Sequence, residues 1–403
     1  MKYERIIFHL DVNSAYLSWE AVHRIKKGEK NDLRKIPAVI SGDREERHGV
    51  VLAKSVPAKK YGIVTGEPVS TALKKCPALL VVPPSHTVYS LYSSRLRKLL
   101  QQYFPLMEQT SIDEFYLDYT GLERLWGSWS DFVFRLKEKI KQELLFTVNI
   151  GVSCNKLLAK MASDMEKPDK VHTLFPEEIA EKMWPLSVGE LFMVGRATEK
   201  ALRKAGILTI GQLAKLPKEI LMSKLKKQGL LIWQYANGVD ERPVAEEEEI
   251  KSISQELTLP VDINKREEAY AVLTELTEKV AYRLRQEKKF ASVIMVNLRD
   301  YKFNNCSRQK KIAYPTAEAF EILQTAKALF DDLWNNQPIR LLGVGVKNLT
   351  SEWTEQLGLF EEKKAPSELD KVLDEVRLRY GEKSLMKGDL FIRKNYYRQK
   401  RPY

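Results

Sequence analysis

Over the first 170 residues the apolar positions alternate between a strand period and a helix period. Ile6-Ile7-Phe8-His9-Leu10 is an apolar run of strand length. Asn13 or Ser14 then stands where a helix cap belongs, ahead of Tyr16, Trp19 and Val22 at helical spacing, and Gly28 marks the stop. Pro37–Ile40 and Val50–Ala53 read as short strands around a charged turn, Gly42–Gly49. Tyr89–Tyr103 and Phe132–Leu144 read as helices, Phe115–Tyr119 and Val148–Val152 as strands. A further helix runs from Cys154 or Asn155 to about Met165, where Lys167-Pro168 stops it. Strand and helix in this order predict an α/β unit.

The pattern changes after Trp184. Short helices with a basic bias fill the stretch to Gly238, with nine Lys or Arg between Arg196 and Lys227 against Glu199 and Glu219. Glu246–Glu249 carries no apolar residue and reads as a solvated linker. Lys251–Leu349 mixes strands (Ser292–Leu298, Leu341–Val346) with helices (Glu267–Glu287, Ala317–Trp334), a separate α+β domain. A polar tail follows, with a helix from Pro366 to about Tyr380 that opens on Ser367-x-x-Asp370 and ends at Gly381.

Composition narrows the function classes. A chain of 403 residues, 44% hydrophobic, divides into three or four domains. Its net charge of +12 calls for an anionic partner, nucleic acid or a membrane surface. No apolar run approaches the length of a bilayer span, and Met1-Lys2-Tyr3-Glu4-Arg5 lacks the apolar core of a signal peptide. Cys76, Cys154 and Cys306 are odd in number and far apart, and the five histidines lack ligand spacing, which argues against both disulfides and zinc. The expectation is a reduced, soluble, cytoplasmic protein.

Five features could carry chemistry. Asp11 closes the first strand, and Asp113-Glu114 opens another, an arrangement that collects hard oxygen ligands for Mg²⁺. Adjacent carboxylates on a regular strand point to opposite faces, so Asp113 and Glu114 share a site only at a bend; the plain alternative is a solvated acidic turn. Gly151-Val-Ser-Cys-Asn-Lys156-Leu-Leu-Ala-Lys160 runs from strand into helix, and Lys156 and Lys160 share one helix face near an amino terminus suited to phosphate. An ordinary amphipathic helix has the same pattern. The basic segment Ala53–Gly62 is either a phosphate clamp or a solvated turn. Leu191–Thr198 followed by Leu202, Leu208–Ile210 and Leu213-Ala214 has the plan of either a plain helical hairpin or a helix-hairpin-helix, whose turn grips a DNA phosphate through backbone N–H groups at Gly195, Arg196 and Thr198. Gln356-Leu357-Gly358-Leu359-Phe360 puts three large apolar residues in a polar tail, either a docking peptide or a minor contact with the body.

Together these features resemble the Y-family DNA polymerases, the bacterial translesion enzymes of the UmuC and DNA polymerase IV kind. The resemblance spans residues 1–360 and rests chiefly on Ser-Ile-Asp-Glu and Gly-Val-Ser-x-Asn-Lys. It implies a right hand: palm from residues 1–23 and 86–169, small fingers at 24–85, a helix-hairpin-helix thumb at 170–242, a linker at 243–250, a little finger at 251–350 and a tail at 351–403. It further implies a low-fidelity, non-proofreading, template-directed polymerase active in damage tolerance. Asp11, Asp113, Glu114 and the Val12 carbonyl would hold two Mg²⁺ ions, Tyr16 would be the steric gate against ribonucleotides, and Lys59 and Lys160 would meet the triphosphate. Gln356, Leu357, Leu359 and Phe360 would bind the sliding clamp. The implied partners are primer-template DNA, dNTPs, the clamp and other replication or SOS proteins, around a monomer.

The chain departs from that pattern at four places. Val56-x-x-Lys59 stands where the family carries Tyr-x-x-Arg, which keeps a charge without the forked guanidinium. Ala15 replaces an aromatic, Met193 replaces a hairpin glycine, and the stretch beyond Phe360 matches nothing. Residues 392–403 carry five positive charges and no negative ones, which could bind DNA or keep the tail soluble. Two rivals follow: a catalytically weak or inactive, clamp-recruited DNA-binding scaffold, and a nucleotide cyclase on a related palm. The cyclase would need neither a basic helical hairpin nor a clamp motif.

Overall fold

The computed structural model describes residues 3–42, 49–246, 249–351, 368–381 and 384. The chain forms two compact units, divided near Glu248.

In the first unit the elements run β1 (Ile7–Val12), α1 (Ala15–Lys26), β2 (Ala38–Ser41), β3 (Val51–Lys54), α2 (Val56–Lys60), α3 (Val69–Lys75), β4 (Leu80–Val82), α4 (His86–Leu100), β5 (Met107–Gln109) and β6 (Glu114–Asp118). They continue as α5 (Glu123–Trp126), α6 (Trp129–Leu144), β7 (Val148–Ser153), α7 (Lys156–Asp164) and β8 (Val171–Thr173). Three single turns of 3₁₀ or π type between Pro176 and Glu190 precede α8 (Arg196–Lys204), α9 (Ile210–Ala214) and α10 (Lys218–Ala236).

A five-stranded sheet, ordered β5-β6-β1-β7-β8, is the frame. β1 lies antiparallel between β6 and β7. The period of two then sorts its side chains. Phe8, Leu10 and Val12, with Phe115, Leu117, Val148, Ile150 and Val152, join the core that also buries Trp19, Tyr92, Leu96, Leu136 and Ile140 from α1, α4 and α6. The alternate positions, His9 and Asp11 on β1 with Glu114 and Tyr116 on β6, face the other way. Burying each large apolar side chain of that core contributes about 1.5–3 kcal/mol. A smaller sheet, β3-β2-β4, closes a second core of Val39, Val51, Ala58, Ile63 and Val69.

The second unit comprises β9 (Ser252–Ile263), α11 (Arg266–Gln286), β10 (Phe290–Asp300), β11 (Asn305–Thr316), α12 (Ala319–Leu333), β12 (Ile339–Thr350) and α13 (Glu368–Tyr380). Its antiparallel sheet is ordered β11-β10-β12-β9. Ile294, Val296, Leu342 and Val344 pack with the apolar residues of α11 and α12. Arg285 on α11 holds α13 through both oxygens of Asp374, at 2.6 and 2.9 Å.

The α/β and α+β expectations both hold, with corrections in the detail. Five strands, β4, β5, β8, β9 and β11, lack a readable pattern: the first three have only three residues each, and Asn305–Lys311 of β11 is exposed throughout. The basic segment at 53–62 is a helix in part. Ser55 caps α2 by accepting from the Ala58 N–H at 3.1 Å, and Pro57 fits its first turn. Ser14 holds the cap position of α1 but makes no side-chain cap; its backbone is left-handed, φ 48°. α4 begins three residues before the expected Tyr89.

Candidate active site

The register places Asp11 directly opposite Glu114 on the paired strands β1 and β6. Asp113 lies in the bend before β6, and its carbonyl accepts from the Val12 N–H at 3.1 Å. The bend that two adjacent acids require is therefore present. It comes from the β5–β6 hairpin, in which Gln109 pairs with Phe115. Ser111 Oγ donates to Asp113 Oδ1 at 2.7 Å. Burial raises the Asp113 pKa; that hydrogen bond opposes the rise and the Glu114 charge adds to it.

Helix α7 and the loop that follows it supply the cations. Lys160 Nζ lies 2.8 Å from Glu114 Oε1 and 3.1 Å from Asp164 Oδ2. Burial would lower the Lys160 pKa, but Asp164 and Glu114 outweigh it and the net shift is upward. Lys167 contacts Asp11 Oδ2 directly and Asp164 Oδ1 at 2.9 Å, and burial pulls its pKa down to about 8. Gly151 makes this approach possible. A Cβ there would lie 2.0 Å from the Ala159 carbonyl oxygen and 2.4 Å from the Ser163 nitrogen.

His9 is fully buried beneath the acids, with Nδ1 2.7 Å from Ser163 Oγ. The Ser163 hydroxyl donates to the Lys160 carbonyl at 2.8 Å, so Nδ1 carries the proton. Burial, then the charges of Lys160 and Lys167, keep the ring neutral.

A buried amide pair fixes the far side. Asn13 Nδ2 donates to Asn149 Oδ1 at 3.0 Å, and Asn149 Nδ2 donates to the carbonyls of Ser163 (3.1 Å) and Glu166 (2.7 Å). Asn13 Oδ1 accepts from the Asp169 N–H at 2.9 Å. This network holds the Glu166–Asp169 loop, and with it Lys167, against the end of β1.

The amino end of α7 does not offer the open phosphate site that its sequence suggests. Asn155 caps it by accepting from the Leu158 N–H at 2.9 Å, and Asp240 Oδ2 takes the Leu157 N–H at 3.1 Å. Lys156 is buried against Glu108, 2.7 Å from Oε1, and packs over the Tyr116 ring. Only Lys160 of the two helix lysines reaches the acids.

The other expected residues have neighbours of their own. The half-buried Tyr16 ring stacks on Tyr89 with centroids 4.5 Å apart. Lys59 is exposed on α2, and so is Val56. Gly195 is the cap residue of α8, with Arg196 exposed and Thr198 half-buried in its first turn. The element before that turn is a single 3₁₀ turn, Val188–Glu190, rather than a longer helix. Met193 takes φ 70°, so the glycine-type conformation persists without glycine, at a cost of about 1–2 kcal/mol. Gln356, Leu357, Leu359 and Phe360 lie outside the described residues.

Sequence reasoning missed Lys167, Asp164, Asn149 and Asp240. Lys167 served there only as a helix stop beside Pro168. Its only signal was a basic residue in the same Gly-Val-Ser-to-Pro stretch as Lys160.

The chain matches the model of the impB/mucB/samB family over residues 10–164 and that family's C-terminal domain over residues 250–359. It is 46% identical to "DNA polymerase IV" of Clostridium acetobutylicum, over 96% of this chain and 98% of that one. It is 37% identical to the Acetivibrio thermocellus protein of that name, with the same coverages, and 34% identical to "DNA polymerase IV 2" of Bacillus subtilis, over 96% and 95%. Among solved structures, a Y-family DNA polymerase chimera of Dbh and Dpo4 superposes with a TM-score of 0.75 at 22% identity, over 85% of this chain and 99% of that one. The fold is therefore that of the Y-family DNA polymerases, with the family's C-terminal domain present. The chain belongs to the impB/mucB/samB family, the Y-family translesion DNA polymerases, and is a DNA-directed DNA polymerase.

That membership carries dependence on a divalent metal, with primer-template DNA and dNTPs as substrates. The acids suit such an ion in donor chemistry: three hard carboxylates on adjoining strand ends, two of them already in contact with a lysine ammonium. Among the described residues no three acidic, His or Cys side chains close around a single point. None of the described helices is long and apolar enough to cross a membrane.

Proposed function

We propose that this chain extends a primer by two-metal nucleotidyl transfer at the ends of β1 and β6, including past damaged template bases. The observation that carries this reading is the Asp11–Glu114 register, with the Asp113 carbonyl bound to the Val12 N–H. Asp11, Asp113, Glu114 and the Val12 carbonyl are the ligands for two Mg²⁺ ions. Bound there, the ions make the primer 3′-hydroxyl easier to deprotonate and offset the triphosphate charge.

The chain's own residues do the rest. Lys160, already buried beside Glu114, turns its ammonium to the triphosphate. Lys59 adds a point charge from α2 without the fork of an arginine. Tyr16, braced on Tyr89, is the gate that excludes a ribose 2′-hydroxyl. The turn at Gly195, Arg196 and Thr198 holds a DNA phosphate through backbone N–H groups free of intrahelical acceptors. The palm is residues 1–23 and 86–169, the fingers 24–85, the thumb 170–242 and the little finger 251–350. Gln356, Leu357, Leu359 and Phe360 dock the enzyme, a monomer of the nucleoid-associated cytoplasm, on the sliding clamp.

Primer extension with Mg²⁺ on undamaged and abasic templates tests the site. Asp113→Ala should abolish extension on both while leaving primer-template binding nearly intact. An active Asp113→Ala enzyme would refute the assignment.

A further inference from the structure

The hairpin that joins β10 to β11 carries an aromatic tip with no part in the site above. Asp300 builds its turn. That carboxylate accepts from the N–H of Lys302 at 2.8 Å, from the N–H of Asn304 at 2.9 Å and from Asn304 Nδ2 at 2.9 Å. The Phe303 N–H donates to the Asp300 carbonyl and the Tyr301 N–H to the Pro338 carbonyl, each at 3.1 Å. The turn is thus fixed at its base and against the loop before β12.

What it presents is unusual for a turn. Phe303 has φ 67°, a left-handed position that ordinarily favours glycine or asparagine. Its side chain gains little from burial in return, because the residue is 59% exposed, and Tyr301 is 40% exposed. Cations crowd the two rings. The Arg340 guanidinium lies 4.4 Å from the Phe303 centroid and the Lys302 ammonium 5.4 Å from the Tyr301 centroid. Arg299 lies at the foot of the hairpin, its Nε 2.6 Å from Asn305 Oδ1. The carboxylate of the tip, Asp300, is already engaged by the turn.

Exposed aromatic side chains set among cations on a turn fixed by hydrogen bonds suit an unpaired nucleobase and its phosphates. A protein-docking knob would instead shed charge around its apolar centre. We propose that Tyr301 and Phe303 form a stacking site for unpaired bases of single-stranded DNA, with Arg340, Lys302 and Arg299 meeting the neighbouring phosphates. This site is independent of the assignment of Asp11, Asp113 and Glu114.

The test compares full-length proteins on two fluorescently labelled strands of equal length, oligo(dA) and the same backbone made wholly of abasic sugars. Both carry the same phosphates, and only one can stack. The wild type should bind oligo(dA) about tenfold more tightly than the abasic strand. The Tyr301→Ala/Phe303→Asn variant should lose most of that preference while keeping its affinity for the abasic strand. Asparagine tolerates the left-handed backbone; if the double variant unfolds, Phe303→Asn alone decides in the same assay, with Phe303→Tyr expected to restore binding. An unchanged preference in a folded variant overturns the proposal. So does a variant that binds both strands as the wild type does yet loses stimulation by the sliding clamp, which would make the tip a protein-docking surface.

Discussion

Gly151→Ala tests whether the closeness of α7 to the sheet sets the proposed active site. The added methyl would sit 2.0 Å from the Ala159 carbonyl oxygen and 2.4 Å from the Ser163 nitrogen, both main-chain atoms that cannot rotate aside. Contacts of Cβ shorter than 3.0 Å essentially never occur, so α7 must move off β7 by about 1 Å. The same helix carries Lys160, 2.8 Å from Glu114, and the Ser163 that holds His9. Overpacking at such a contact costs about 1–3 kcal/mol of stability. A displacement of this size at the reacting centre costs about a hundredfold in rate. Urea denaturation and single-turnover incorporation of one correct dNTP read the two effects separately. The expected outcome is a folded protein of lower midpoint whose maximal incorporation rate falls far more than its binding of primer-template. A Gly151→Ala enzyme with wild-type incorporation would refute the role given to this contact.

Tyr16→Ala should let ribonucleotides into the product in primer-extension assays with rNTPs, and continued exclusion would place the gate elsewhere. Asp240→Asn should destabilise the fold by about 1–3 kcal/mol near neutral pH, because Asp240 joins the α7 Leu157 N–H to both Nε and Nη2 of Arg242. Burial would raise the Asp240 pKa, but its hydrogen bonds to Arg242 hold it below the ordinary value. Its ionised form therefore stabilises the fold above the unfolded pKa, about 3.9, and that contribution fades as pH falls through the lower folded pKa. Denaturation of both proteins across that range should show the gap closing on the acid side; a constant gap would contradict the linkage. Deleting Gln356–Phe360 should leave distributive synthesis unchanged and remove stimulation by the sliding clamp, and equal stimulation of both proteins would defeat that assignment.

Much of this protein was legible in the residues themselves. Continuous apolar runs marked β1, β6 and β7, because strands buried on both faces leave a dense apolar signal even where Asp11 and Glu114 interrupt it. Lys167-Pro168 marked the end of α7, and the basic bias after Arg196 set off a run of short helices. Types of side chain and their order are local properties, so the acidic residues could be singled out as candidates without a fold. The tertiary structure decided which of those side chains meet. Asp11 and Glu114 face each other only because β1 and β6 pair in one register, and a slip of one residue would turn Glu114 toward the core and carry Phe115 and Leu117 out of it. Lys156 and Lys160 look equivalent at a spacing of four, yet one is buried on Glu108 and the other reaches Glu114. Asp240, more than 80 residues along the chain, fills the helix end that looked open to phosphate. Such contacts depend on distance in space, and separation along the chain does not encode them.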